Sequence, residues 1–472
     1  MTGTSETSSA DHGNGQGWRW PRPDELVATT RPLDYEPDLI ALGTSPGGVL
    51  WTCDLGALAG TGVALRITRR GPGTDGLAVP ETAPLRDATH SWDATPEGET
   101  SRGGEVAANL AAIETDDPLG IPGSGPVAFA ALPFAPDAPG TLVIPRRIIA
   151  HRQDRFWETV VDLRPDVTGT WADHWRAQTG PAASSAPIAA TEDATPPDGF
   201  ALSSPLSHAA WQGMIVDAVA SIRGGDLAKV VLARRVDVVA NRPFLVGDVI
   251  SRLRALYPTC MIFHVDGFIG ASPELLVRRE GDRFACHPLA GTVARSGDRA
   301  ADDALVAGLL ASTKDRWEHR IVIDQLSRAL APWCETLAVP ETPTVMGLRN
   351  VSHLATLITG RLAARGGRLP TALELVDAIH PTAAVGGHPT PEALRYLQKV
   401  EGFDRGPYAG PVGWVDSRGD GTWALGLRSA RLDGERASMY AGVGVVADSD
   451  PGAELAETQL KLQALLAALV RP

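Results

Sequence analysis

The feature that most constrains the fold lies near the C-terminus, where three runs of strand-forming residues are joined by turns too short to hold a crossover helix. Pro411 to Val415, Thr422 to Leu432 and Arg436 to Val446 are separated by Ser417-Arg418-Gly419-Asp420-Gly421 and by Asp433-Gly434, both hairpin signals. Neighbouring parallel strands need about a dozen residues between them, so this stretch is antiparallel. Helical patterns flank it. The expected class is therefore α/β in the α+β sense, with large antiparallel sheets packed between helices and not a doubly wound parallel fold.

Composition narrows the function classes. The chain has 472 residues, 43% hydrophobic and 21% charged, enough to bury a large core. Its 43 basic and 56 acidic residues give a net charge of −13 with no basic run, which argues against nucleic acid. Cys53, Cys260, Cys286 and Cys334 form no paired motif and read as buried thiols in a reducing compartment. Residues 1–17 are rich in Gly, Ser and Thr and read as a disordered tail without signal-peptide character. No apolar run reaches the roughly 18 residues of a membrane span, so a cytoplasmic protein is expected.

Residues 18–200 read as a variable N-terminal part of the sheet fold. Gly62 to Thr68, Val127 to Leu132 and Gly140 to Ile144 are strand-like, His90 to Glu105 reads as a surface loop, and the Ala, Ser and Pro-rich stretch from Thr179 to Ser204 as a loop or seam. From residue 205 to 472 the signals sharpen. His208 to Arg223 is helical, with Trp211, Ile215, Val219 and Ile222 on one stripe. Ala228 to Arg235 is a short strand entered through Lys229, and Met261 to Val265 and Phe268 to Gly270 are strands around a turn. Residues 301–332 are helical in pattern, His353 opens a strand, His380 to Pro389 is a long turn, and Thr390 caps a helix through Val400.

Several residues are chemically awkward unless they do something. Glu274 leads into an apolar strand, where a charge must be paired or protonated. Gly291 permits close backbone approach to a ligand, although a bulge explains it equally. On the last helix, capped by Asp450 and Pro451, Glu454, Glu457 and Lys461 share a face while Leu455, Leu462, Leu466 and Leu469 can serve a buried side. Such a pattern is ordinarily a solvated face. Together with Glu318 on the earlier helix, however, these carboxylates would suit a hard divalent cation.

Taken in order, Lys229, Ser272-Pro273-Glu274, Leu289 to Thr292, Glu318-His319, His353-Leu354, the His380 to Pro389 turn, Arg405 to Gly413, Arg428, Ala441 to Gly444 and Glu454 to Lys461 resemble the chorismate-utilising enzymes. Within that family the likeness is greatest to the isochorismate synthases. The resemblance implies the fold of anthranilate synthase component I and a Mg²⁺-dependent isomerase that converts chorismate to isochorismate for menaquinone or siderophore biosynthesis. It implies Lys229 as general base toward water and Glu274 as general acid toward the departing hydroxyl. Glu318 and Glu457 would hold the metal, with Glu454 holding metal-bound water. Lys461 would approach the ring carboxylate, Tyr408 and Arg428 the pyruvyl carboxylate, and Gly291, Thr292, Gly442 and Gly444 would supply backbone at close approach. His353 and Ala384 complete the substrate-binding set. No obligatory protein partner is implied.

The alternatives are a salicylate synthase, or component I of an anthranilate or aminodeoxychorismate synthase. The ammonia-using relatives commonly carry Arg-Asn-Asp where this chain has Asp324-Gln325-Leu326, and a threonine is usual at the position of Ala384, so water is the favoured nucleophile. Val443 and the Val293-Ala294-Arg295-Ser296-Gly297 segment depart from the family pattern. An inactive chorismate-binding relative would lack one of Lys229, Glu274, Glu318 or Glu457, and all four are present.

Overall fold

The computed structural model describes residues 19–69, 102–179 and 195–470. The expected tail at 1–17, the first part of the expected 90–105 loop and the middle of the 179–204 stretch lie outside these. Among the described residues the strands form sheets of thirteen, nine and three strands. All pairings between the main strands are antiparallel apart from Leu26–Leu33 with Glu114–Asp116, so the antiparallel expectation holds. Strands from both sides of residue 200 share the two larger sheets: Trp51 registers with Phe263 in the first, and Phe129 with Trp414 in the second.

Helices cover the sheets where their apolar faces require it. Pro451–Val470 packs on strand Arg436–Val445 and on helices His208–Arg223 and Val246–Leu256. Thr313–Leu330 lies against strand Leu289–Ala294 of the smallest sheet. The core is mostly aliphatic, and its largest fully buried side chains include Trp51, Trp157, Trp175, Trp211 and Trp423.

Several boundaries differ from the sequence reading, each for a local reason. The helical pattern over 301–332 is realised as two helices, Arg299–Ala311 and Thr313–Leu330, because Ser312 is extended and its side chain caps the second by accepting from the Asp315 amide. Residues 102–105 begin a helix, Arg102–Ala111, and Phe200–Ser203 is a strand on the edge of the large sheet. The strand entered through Lys229 runs to Ala240, longer than expected, because it pairs along its length with Arg436–Val445. His353 sits in the middle of its strand, Val351–Ala355, and Pro389, not Thr390, is the residue before the helix Thr390–Val400. Of the cysteines, Cys260 and Cys286 are buried, while Cys53 and Cys334 are half-buried; all four are free thiols.

The largest difference is at Thr422 to Leu432, which is not one strand. Gly421–Leu425 belongs to the nine-stranded sheet and Ser429–Asp433 to the thirteen-stranded sheet, and Arg428 between them has a left-handed φ of 46°. A non-glycine residue in that region is strained and is held there by its surroundings.

A buried ion pair braces the neighbourhood. Glu401 accepts from the Arg405 guanidinium at both carboxylate oxygens and also from the Ala233 amide at 2.8 Å. Arg405 in turn donates to the Val385 and Val231 carbonyls at 2.8 and 2.6 Å and stacks over Phe134. Replacing Glu401 with Gln leaves the guanidinium buried without its counter-charge, which costs about 3 kcal/mol in comparable cases. Urea denaturation is expected to show a loss of that order; a loss under about 1 kcal/mol would mean the pair is not what holds this corner.

Candidate active site

The cleft lies where chain segments pass from one sheet to another. Pro273 and Glu274 link strand Phe268–Ser272 of the largest sheet to Leu275–Glu280 of the second. Gly426 to Arg428 make the reverse passage, and Pro288 links Arg283–His287 to Leu289–Ala294 of the third sheet. The links remain tied to one another: the Leu425 amide donates to the Glu274 carbonyl at 3.2 Å, and the Ala271 amide to that of Arg428 at 3.2 Å. Around them is a cavity of about 770 Å³, its open mouth included, within the usual range of small-molecule sites.

Glu274 lines this cavity and is 3% exposed. Burial pushes its carboxyl up to about 7, against the Leu289 amide, which donates to it at 3.4 Å, and the charges of Lys229, Arg428 and Lys461. Lys229 opens its strand and is fully buried, with Nζ 2.9 Å from Oε1 of Glu318. The approach is not aligned as a hydrogen bond, so the contact is an ion pair and the ammonium retains its donors. Gly444 faces Val231 across the ladder, and a Cβ there would stand 2.3 Å from Glu318 Oε1 and 2.9 Å from Lys229 Cε. Only glycine leaves room for this pair.

A second group is cationic. Arg428 is buried, and among the described residues its guanidinium makes one hydrogen bond, donated through Nη2 to Nε2 of His353 at 2.9 Å. Among the described residues no carboxylate lies within ion-pair distance of it, and Nε has no partner. Tyr408 is stacked on Tyr440 with ring centroids 5.1 Å apart, and burial pushes its phenol up. A Cβ on Gly442 would come within 3.1 Å of the Tyr408 hydroxyl. Gly291, Thr292 and His353 line the wall beside them.

The acidic residues come from helices 313–330 and 451–470. Glu318, Glu457 and Lys461 line the cavity; Glu457 pairs with Lys461 at 2.7 Å, and Lys461 also donates to the Gly442 carbonyl at 2.9 Å. Glu454 does not line it. Although it shares the expected face with Glu457, it is turned into protein, 3% exposed, and pairs with Lys314 at 3.2 Å. The expected apolar side is also uneven, since Leu462 and Leu469 are buried and Leu455 and Leu466 only half-buried. Glu318, Glu454 and Glu457 are thus each clasped by a lysine, and no group of three or more ligating side chains is gathered among the described residues. The carboxylates still crowd one another. Asp315 is pushed up first by burial and then by Glu318 and Glu457, and Glu454 by burial and Glu457. An all-carboxylate donor set under mutual repulsion fits a hard divalent cation.

Sequence reasoning assigned no role to Asp315, although it lies one turn before Glu318. Arg405 and Gln325 stood inside quoted motifs but were likewise given no role. Gln325 accepts from the Ala383 amide at 2.5 Å and donates to the Pro381 carbonyl and Thr390 hydroxyl, holding the turn that presents Ala384 to the cavity.

Residues 99–470 match the family model described as chorismate binding enzyme, and the chain belongs to that family. It is 38% identical over 360 residues to a Mycobacterium tuberculosis protein assigned as isochorismate synthase MenF, covering 74% of this chain and 87% of that one. It is 44% identical over 268 residues to the salicylate biosynthesis isochorismate synthase of Pseudomonas aeruginosa, spanning 55% of this chain and about half of that one, 54%. The structure of MenF, the menaquinone-specific isochorismate synthase of Escherichia coli, superposes with a TM-score of 0.73 at 22% identity, covering 94% of this chain and 95% of that one. That likeness concerns the fold.

Gly444→Ala tests the packing argument directly. The displaced Glu318 and Lys229 side chains are expected to cost roughly 100-fold in turnover, the scale of an ångström-level misplacement, with a melting temperature near that of the parent. Unchanged turnover would show that the pair tolerates a shift.

Proposed function

We propose that this protein is an isochorismate synthase, converting chorismate to isochorismate for menaquinone or siderophore biosynthesis. The observation that carries the reading is the buried guanidinium of Arg428, without a carboxylate partner among the described residues, in a cavity that also presents a carboxyl poised near neutrality, Glu274. A buried cation without a counter-ion is costly, and a carboxylate ligand relieves that cost. The names of the relatives, isochorismate synthases, point to chorismate as the source of that carboxylate.

In this reading Arg428 and Tyr408 hold the pyruvyl carboxylate, the guanidinium fork suiting a planar anion. Lys461 approaches the ring carboxylate. Lys229, which is fully buried behind the cavity lining as the ammonium of an ion pair, would act as the free amine, taking a proton from the water that adds at ring carbon 2, and Glu274 gives its proton to the hydroxyl leaving ring carbon 4. One water enters and one leaves, so the product is an isomer and no redox cofactor is required. Mg²⁺ held by Glu318 and Glu457 would supply charge neutralisation and a template for the ring carboxylate. Ala384, on the turn held by the Gln325 brace, stands where the ammonia-using relatives usually carry threonine, which favours water as the nucleophile.

The deciding experiment is product analysis by chromatography and mass spectrometry with chorismate and Mg²⁺. Isochorismate alone, indifferent to ammonium and abolished by a chelator, is the expected result. Salicylate with pyruvate, or anthranilate with ammonium, would replace this reading. Lys229→Ala and Glu274→Gln are each expected to lose most turnover, at least about 100-fold, while remaining folded by circular dichroism.

Glu274 also gives a pH signature. Turnover that needs its proton is expected to fall as pH rises through about 7. In the unfolded chain the same carboxyl ionises near 4.5, so between these values the native state holds a proton the unfolded state lacks. Stability should therefore decline as pH rises across that window and level off above it. In Glu274→Gln this component of the pH dependence should vanish from denaturation midpoints; an unaltered slope would exclude the raised ionisation.

A further inference from the structure

The contact between Arg428 and His353 determines more than where the guanidinium sits. A guanidinium has only donors, so Nε2 of His353, 2.9 Å from Nη2, accepts and carries no proton. The ring proton is then on Nδ1, which has two acceptors: the Thr292 hydroxyl at 3.0 Å and the Gly291 carbonyl at 3.3 Å. The second is available because Gly291, at φ +73°, bulges out of register between Ala290 and Thr292, opposite His353. Both ring nitrogens are thus used, and the ring is neutral. Burial, with the charges of Arg428 and Lys461 nearby, also disfavours the imidazolium.

A neutral acceptor can orient a guanidinium without cancelling its charge. A carboxylate in the same place would orient it equally well and would also neutralise it, competing with any anion in the cavity. We propose that His353 is a positioning residue, a neutral acceptor that fixes Arg428 while leaving its charge for a ligand carboxylate. This rests on the assignment of a carboxylate substrate and departs from the view of His353 as a direct substrate contact. It also explains why a histidine and a bulged glycine occur together: the bulge supplies the acceptor that keeps the proton on Nδ1.

Three variants separate this role from simple packing. His353→Gln retains a neutral acceptor and is expected to bind chorismate within about three-fold of the parent. His353→Leu removes the acceptor and is expected to weaken binding by about ten-fold or more, and His353→Glu, which supplies a competing charge, by about 100-fold or more. Affinity is read by calorimetry and KM and kcat by turnover, with the loss expected in Kd and KM more than in kcat. Thermal unfolding identifies any variant that fails to fold, and ¹⁵N NMR of the parent, with His353→Gln used for assignment, should show Nδ1 as the protonated nitrogen. A protonated Nε2, or equal losses in folded Gln and Leu variants, would overturn the proposal. If the parent binds chorismate but makes no isochorismate, the activity reading fails while these affinities still decide the role of His353; absence of chorismate binding by the parent overturns both.

Discussion

The ion pair between Lys229 and Glu318 is the constraint on which the site depends. Each partner has been drawn substantially out of water, at a cost of several kcal/mol per ion before their attraction is counted. The pair survives only if the start of strand Lys229–Ala240 and helix Thr313–Leu330 are held against each other, and if the strand between them carries no side chain at 444. Gly444, the pairing of Lys229–Ala240 with Arg436–Val445, and the seating of helix 313–330 on the smallest sheet satisfy these demands together. The Arg405 brace, tied to Val231 and Val385, holds the same strand from its other side.

Charge in the cleft is divided among neighbouring groups. The two helices supply carboxylates that repel one another, Glu318, Glu454 and Glu457 each steadied by a lysine, while Arg428 is left as a cation with no anionic partner among the described residues. Glu274 lies under the influence of Lys229, Arg428 and Lys461, yet burial outweighs them and its proton is retained to about neutrality. A dianionic substrate and a divalent metal would complete this arrangement more fully than either alone. The neutral His353 ring fits the same pattern, since it adds direction without adding charge.

The sheet-to-sheet links explain why these groups can converge. In a regular ladder side chains alternate between faces, and every backbone group is committed to a neighbour. At Pro273-Glu274 and Gly426 to Arg428 the chain leaves one ladder before entering another, so side chains can be aimed independently of strand alternation. The left-handed conformation of Arg428 is the local cost of that freedom.

The sequence by itself determined the antiparallel character of the fold, through turns too short for crossovers, and the helix His208–Arg223, through its apolar stripe. The order of its motifs, which matches a family, also singled out Glu274, Glu318, Arg428 and Glu457, which the fold brings around one cavity, and Glu274 was anomalous in its own right as a charge leading into an apolar strand. What only the tertiary structure decided depends on contacts between distant segments. The division of Thr422 to Leu432 between two sheets was hidden because both halves have strand composition. The burial of Glu454 against Lys314 was hidden because helical spacing says which residues share a face but not what covers it. The proton on Nδ1 of His353 follows from an arginine 75 residues away, and no local pattern can encode the donor that a distant chain segment brings to a ring.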